Sequence, residues 1–187
     1  MKHHTWIFIL VFAFQLIFSL SYALDYKAKQ PILITSAGQS ADVLMVKILA
    51  QKAGLKFTFD ELAQPNTLKD FACLIFVSGG STKGLGAAKI DKQQELDRVQ
   101  GLIKAAKKAK IDLITMHLGG KARRGKLSDE FNKLAAENAD CLVVVKSGDE
   151  DQFFSKIAKE KKISIQLIEK IMEAGAVMKG IFSAPAK

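Results

Sequence analysis

Apolar runs rich in β-branched residues alternate with stretches of helical periodicity along most of the chain. Residues 31–35, 56–59, 73–78, 112–117, 141–145 and 164–168 carry the runs, and each is short enough to be a strand. The run Cys73-Leu-Ile-Phe-Val-Ser78 is apolar on both alternations, as in a sheet covered on both faces. Between the runs, helices are predicted over 40–53 (stopped by Gly54), 91–110 (capped by Asp91), 128–138 (capped by Ser128), 151–161 and 169–180, with a brief turn near Leu68. In the second of these, Leu96, Val99, Leu102, Ile103 and Ala106 form one buried stripe, while Lys104, Lys107, Lys108 and Lys110 suit the negative end of the helix dipole. The 40–53 helix differs, because Val43, Leu44, Met45, Val46, Ile48 and Leu49 cover most of its circumference. That pattern predicts the most deeply buried helix of the protein.

Regular alternation of strand and helix signals βαβ units and a parallel sheet. The fold expected is α/β, a three-layer, doubly wound, mostly parallel sheet of about six strands, flavodoxin-like or Rossmann-like. Its predicted order is 2-1-3-4-5 with the sixth strand at an edge and right-handed crossovers. In that order Cys73 and Cys141 are separated by the whole of strand four, a span of about 9.6 Å. Bridgeable Cα atoms lie within about 7 Å, so two buried free thiols are expected even in an oxidising compartment.

The first 23 residues follow a different pattern. Lys2 precedes a nearly unbroken apolar run over 5–20, interrupted by Gln15, and Ser21-Tyr22-Ala23 places small residues where a signal peptidase reads. Residues 1–23 are therefore expected to be a cleavable secretory signal, with an uncleaved membrane anchor as the alternative. No cysteine stands near the cleavage point, which excludes a lipoprotein. Residues 24–187 are then one α/β domain, without repeats or low-complexity linkers, in a periplasmic or extracellular location and with no stable membrane anchor after cleavage. A domain of that size buries roughly 70% of its unfolded surface and needs no disulfide or metal to do so.

Charge narrows the partners. The chain carries 28 Lys and Arg against 19 Asp and Glu, a formal +9. Such an excess favours anionic partners at long range. The lysines are dispersed over helices instead of forming a stripe, which argues against nucleic acid.

Ligands of open α/β sheets bind beyond the carboxyl ends of the strands, where the winding direction reverses, here between strands one and three. Three loops should meet there. Residues 35–42 contribute Ser36, Gly38, Gln39 and Ser40. Residues 78–86 contribute Gly79, Gly80, Ser81, Thr82 and Lys83, and residues 117–125 contribute His117, Gly119, Gly120, Arg123 and Arg124. Glycines allow close backbone approach with exposed N–H groups, hydroxyls complete the cradle, and one arginine could clamp a carboxylate or phosphate. A plainer reading is also open: glycines that only make turns, Ser36-x-x-Gln39 as a capping box, and an exposed basic loop over 121–126.

Named motifs fail. Gly84-Leu-Gly-Ala-Ala-Lys89 lacks the third glycine of a dinucleotide fingerprint, no Gly-Lys-Ser/Thr phosphate loop exists, and no cofactor is indicated. A single histidine after the leader and two distant cysteines cannot build a zinc site, so no metal is expected. The acidic Gly148-Asp-Glu-Asp151 reads as a helix start. Gly38-Gln-Ser-Ala-Asp42 nearly matches a nucleophile elbow, with aspartate in place of the second glycine. Ser40 and His117 are accordingly the catalytic candidates of a serine-hydrolase alternative.

The runs Thr-Ser-Ala-Gly-Gln-Ser-Ala-Asp-Val-Leu-Met and Gly-Gly-Lys-Ala-Arg-Arg-Gly, with the 78–89 loop, resemble a family of uncharacterised exported bacterial α/β proteins classed as a domain of unknown function. The resemblance spans about residues 31–182. It implies a bacterial source and an exported location, and brings no activity or site residues. The expected function is an exported small-ligand binding protein holding an anionic or polar molecule in the three-loop crevice, with a transport or sensing partner. The alternatives are the hydrolase and a structural or interaction protein without a small ligand.

Overall fold

The computed structural model describes residues 26–183; the leader read from residues 1–23 lies outside them. Six parallel strands form one sheet: β1 (Ile32–Ala37), β2 (Phe57–Phe59), β3 (Cys73–Ser78), β4 (Asp112–His117), β5 (Cys141–Val145) and β6 (Ser164–Ile168), in the order β2-β1-β3-β4-β5-β6. This is the order expected from the alternation of apolar runs. Six helices accompany them: α1 (Asp42–Lys52), α2 (Thr82–Ala87), α3 (Lys92–Ala109), α4 (Lys126–Ala136), α5 (Phe153–Lys161) and, after the last strand, α6 (Glu173–Ile181). Pro65 to Asp70 makes one 3₁₀ turn.

Two cores flank the sheet. Ile32, Ile34, Cys73, Ile75, Ile114, Cys141 and Val143 pack on α1 and α6, while Leu33, Leu74, Phe76, Leu113, Leu142 and Val144 pack on α3, α4 and α5. Successive strand residues thus serve opposite layers, which explains why the central runs contain no polar alternation. Cys73 pairs in register with Asp112, and Cys141 with Ile114, so β4 stands between two buried free thiols. Burial pushes both thiols up, Cys141 to about 12 with a contribution from Asp140.

Several local expectations are corrected. Strand β1 runs to Ala37, beyond the predicted 31–35, because Ser36 and Ala37 pair with Val77 and Ser78. Helix α1 is not the most deeply buried: Val43, Val46, Leu49 and Ala50 face the core, but Leu44 and Ile48 are each 45% exposed. Only one layer of the protein covers that helix, so its other apolar side meets solvent. Asp91 does cap α3, in a reciprocal capping box with Gln94. Ser128 does not cap α4, which begins two residues earlier behind Gly125. Its hydroxyl crosses to the β3 loop, accepting from the Gly80 N–H at 3.0 Å. The acidic run before α5 is more than a solvated start, since Asp149 accepts from the backbone of Phe154 (2.7 Å) and Ser155 (3.2 Å) and from the Ser155 hydroxyl.

Candidate ligand cleft at the carboxyl edge of the sheet

The loops after β1 and β3 are joined to each other. Gln39 and Gly80 form an antiparallel bridge, Ser81 N–H donates to the Gly38 carbonyl (2.9 Å), and Gly79 N–H donates to Ala37 (3.0 Å). Gly38 has φ +108°, and a Cβ there would lie 2.5 Å from the Gly79 carbonyl oxygen. At Gly84 the added carbon would lie 1.8 Å from the Gln39 carbonyl oxygen. These glycines are required by contact between backbones.

A buried ion pair supports the joined loops from below. Glu95 and Arg98 on α3 meet at 2.7 Å with both side chains almost fully buried. Glu95 accepts from Gly38 N–H (2.9 Å) and from the Gln39 amide (3.0 Å); Arg98 donates to the carbonyls of Ser36 (2.6 Å) and Ala63 (2.9 Å). Every hydrogen-bonding arm of the pair is therefore matched by a specific backbone or amide group, the condition under which a buried pair can be tolerated.

The expected amide cradle is corrected by these contacts. The N–H groups of Gly38, Gly79 and Gly80 all point into the protein, toward Glu95, Ala37 and Ser128. Ser36 lies buried within β1 and makes no capping box, because Gln39 is turned to Glu95 and the Glu61 carbonyl. Thr82 starts α2 behind the cap made by Ser81, whose oxygen accepts from Gly84 N–H at 3.0 Å.

The expected Ser40–His117 pair is not formed. His117 is fully buried, with Nδ1 3.2 Å from the Ser78 carbonyl and Nε2 3.2 Å from that of Gly120, and its ring lies 4.7 Å from Phe154. Burial lowers its pKa, with the two carbonyls opposing and Arg124 assisting. Ser40 instead donates to Asp42 Oδ2 at 2.5 Å.

Arg123 and Arg124 leave the β4 loop in opposite directions. Arg123 donates through Nε to Asp42 Oδ2 (3.2 Å), and Gly119 makes room, since a Cβ there would lie 2.0 Å from Arg123 Cγ. Arg124 grips Asp129 (2.7 Å), Asp151 (2.9 Å to each oxygen) and the Gly148 carbonyl (2.6 Å), 4.4 Å over the ring of Phe153. The Arg124 hydrogen bonds hold Asp151 down at about 2. Burial opposes the same effect at Asp129, yet contacts with Arg124, Asn132 and Gly125 keep its pKa low as well. Arg124 is thus neither a ligand clamp nor a solvated charge, but a tie between α4 and the α5 entry.

A cleft of about 710 Å³ opens above the β1 and β3 ends, and a smaller one of about 310 Å³ lies beside Lys121, Arg124 and Asp151. Of the residues expected at this edge, Gln39, Ser40, Ser81, Lys83 and Arg123 line the larger cleft; Ser36, Thr82, His117, Arg124 and the glycines 38, 79, 80, 119 and 120 do not. Sequence reasoning missed Glu61, Leu62, Leu44, Ala87 and Ala88. Glu61 and Leu62 follow β2, the neighbour of β1, and the all-round apolar face of 40–53 was the available sign of Leu44. Among the described residues, no cluster of three metal-ligating side chains occurs.

Architecture and edge cleft together define an α/β, Rossmann-like domain. The chain belongs to DUF6305, a family described as a domain of unknown function, whose model matches residues 29–182. No curated protein matches it. Among solved structures, a GDSL-like lipase from Bacteroides thetaiotaomicron has 10% identity and a TM-score of 0.36, covering 80% of this chain and 83% of that one. A psychrotrophic esterase from Pseudoalteromonas has 7% identity and a TM-score of 0.32, covering 74% and 78%. The likeness is one of general architecture alone.

Proposed function

We propose that this protein is an exported binder of a small anionic molecule, held in the edge cleft. The observation that carries the reading is the state of Arg123. Asp42 fixes its guanidinium through Nε, and among the described residues neither terminal nitrogen has a hydrogen-bond partner. Lys83 lines the same cleft and makes no ion pair among the described residues. A pre-oriented guanidinium whose two terminal nitrogens form one free edge matches a carboxylate or phosphate. Glu61 also lines the cleft and disfavours a highly charged polyanion, so a singly charged ligand fits best. The apolar run over 5–20 supports export.

The test is calorimetry and thermal shift with mono- and dicarboxylates, phosphates and sugar acids. Monoanions should stabilise the protein, and Arg123→Gln or Lys83→Gln should weaken binding about tenfold, the loss of one charge-assisted contact of about 1.5 kcal/mol. No response at millimolar concentrations would end the reading. Labelling of Ser40 by a fluorophosphonate would replace it with acyl-transfer chemistry. Mass analysis of the protein recovered outside the cytoplasm tests cleavage after Ala23.

A further inference from the structure

The cleft wall combines polar and apolar side chains. Lys83 and Arg123 supply its cations, Glu61 an acid, and Leu44, Leu62, Ala87 and Ala88 its apolar part. The apolar wall does not stop at the cleft mouth. Leu44 belongs both to the lining and to the outer face of α1, where Ile48 lies one turn further on and Met45 beside it, 45% and 37% exposed respectively. From Ala41 to Ile48 this row extends about 10 Å along the helix. Leu62, 36% exposed, flanks its start. A row of uncovered large aliphatic side chains leading out of a cationic cleft is unusual on a soluble domain, where isolated exposures are the norm.

We infer that the ligand is a single-chain anionic amphiphile, a free fatty acid carboxylate, whose head meets Arg123 and Lys83 and whose tail lies along Leu44, Leu62 and Ile48. The inference rests on the anion-binding reading above and names its ligand class. The cleft holds the cations, and its apolar lining continues through Leu44 onto the exposed row of α1, so one molecule with a charged head and an apolar tail can use both. Arg123 is set back in the cleft by its pair with Asp42, its side chain 29% exposed, and a monomeric chain lying along α1 can bring its head group to it.

The experiment is a calorimetric series of straight-chain carboxylates from acetate to decanoate, kept below micelle formation, on the purified protein. Kd should fall by about twofold to fourfold per added methylene, as expected for partial to full burial of each group. Ile48→Ser, at an exposed position outside the cleft lining, should flatten that dependence and leave acetate binding unchanged. Arg123→Gln should weaken every member of the series. Equal affinity for acetate and decanoate would overturn the amphiphile and leave the small-anion reading standing; absence of binding by any carboxylate would remove both. Co-sedimentation with phosphatidylglycerol vesicles, or a dimer abolished by Ile48→Ser, would also overturn the inference by assigning the apolar row to a lipid surface or a second copy.

Discussion

The adjacent residues Arg123 and Arg124 divide the carboxyl edge of the sheet into two unlike regions. On the β4–β5 side, Arg124, Asp129, Asp151, Asp149 and the enclosed His117 use nearly all of their polar groups on one another and on backbone, with aromatic rings of Phe153 and Phe154 closing the assembly. On the β1–β3 side the backbone is equally well bonded from beneath, by Glu95 and Arg98, but the side chains above it leave a cleft with free cationic groups. Saturated polar networks give rigidity, while unsaturated groups held on a rigid base give a place for a ligand. The contrast predicts that variants of the first kind change stability, and variants of the second kind change binding.

The most severe variant should be Glu95→Ala. It leaves Arg98 buried without its counter-charge and removes the acceptor for Gly38 and Gln39, so urea unfolding should show a loss of about 3–5 kcal/mol. A loss under 1 kcal/mol would mean that the joined loops do not depend on the ion pair. Arg124→Ala comes next, with a loss of about 2 kcal/mol through the hydrogen bonds to Asp129, Asp151 and Gly148 and the contact with Phe153.

A pH titration sharpens the same side. Asp151 and Asp129 have depressed folded-state values, so the unfolded chain binds more protons in acid. The Asp151 contribution is complete above the unfolded value of about 4 and is lost as pH falls toward about 2, and Asp129 acts in the same direction. Stability curves should therefore descend less steeply between those limits in Arg124→Ala than in the parent. Smallest of all, Arg123→Ala should change unfolding free energy by less than about 0.5 kcal/mol, since its pair with Asp42 is partly exposed. Anion binding should nevertheless weaken about tenfold in this variant, and a stability loss equal to that of Arg124→Ala would erase the distinction between the two regions.

The difference between these arginines could not be read from Lys121-Ala-Arg-Arg-Gly-Lys126. Both are basic, both follow a glycine-containing turn, and their directions depend on Asp42 and Asp151, which are distant in sequence. The same holds for the glycines. Their need for backbone freedom was evident, but Gly38 and Gly84 use it to let two loops touch, whereas an exposed cradle requires the same residue type. Ser128 read as a helix cap because the serine–helix pattern is local; its true partner, Gly80, is not. Glu95 and Arg98 lay inside an amphipathic helix, where an i, i+3 charged pair usually marks solvent, and nothing local distinguishes the buried case.

By itself, the sequence determined the number of strands, their parallel direction and their order, because binary patterning and crossover handedness act through short-range geometry that every βαβ unit shares. It also determined which edge the glycine-bearing loops occupy. Only the tertiary structure decided which polar groups satisfy one another and which stay free. Hydrogen bonding is short-ranged and directional, so a group's partner is settled by ångström-scale placement of segments far apart in the chain, and that placement left Arg123 open while closing Arg124 and His117.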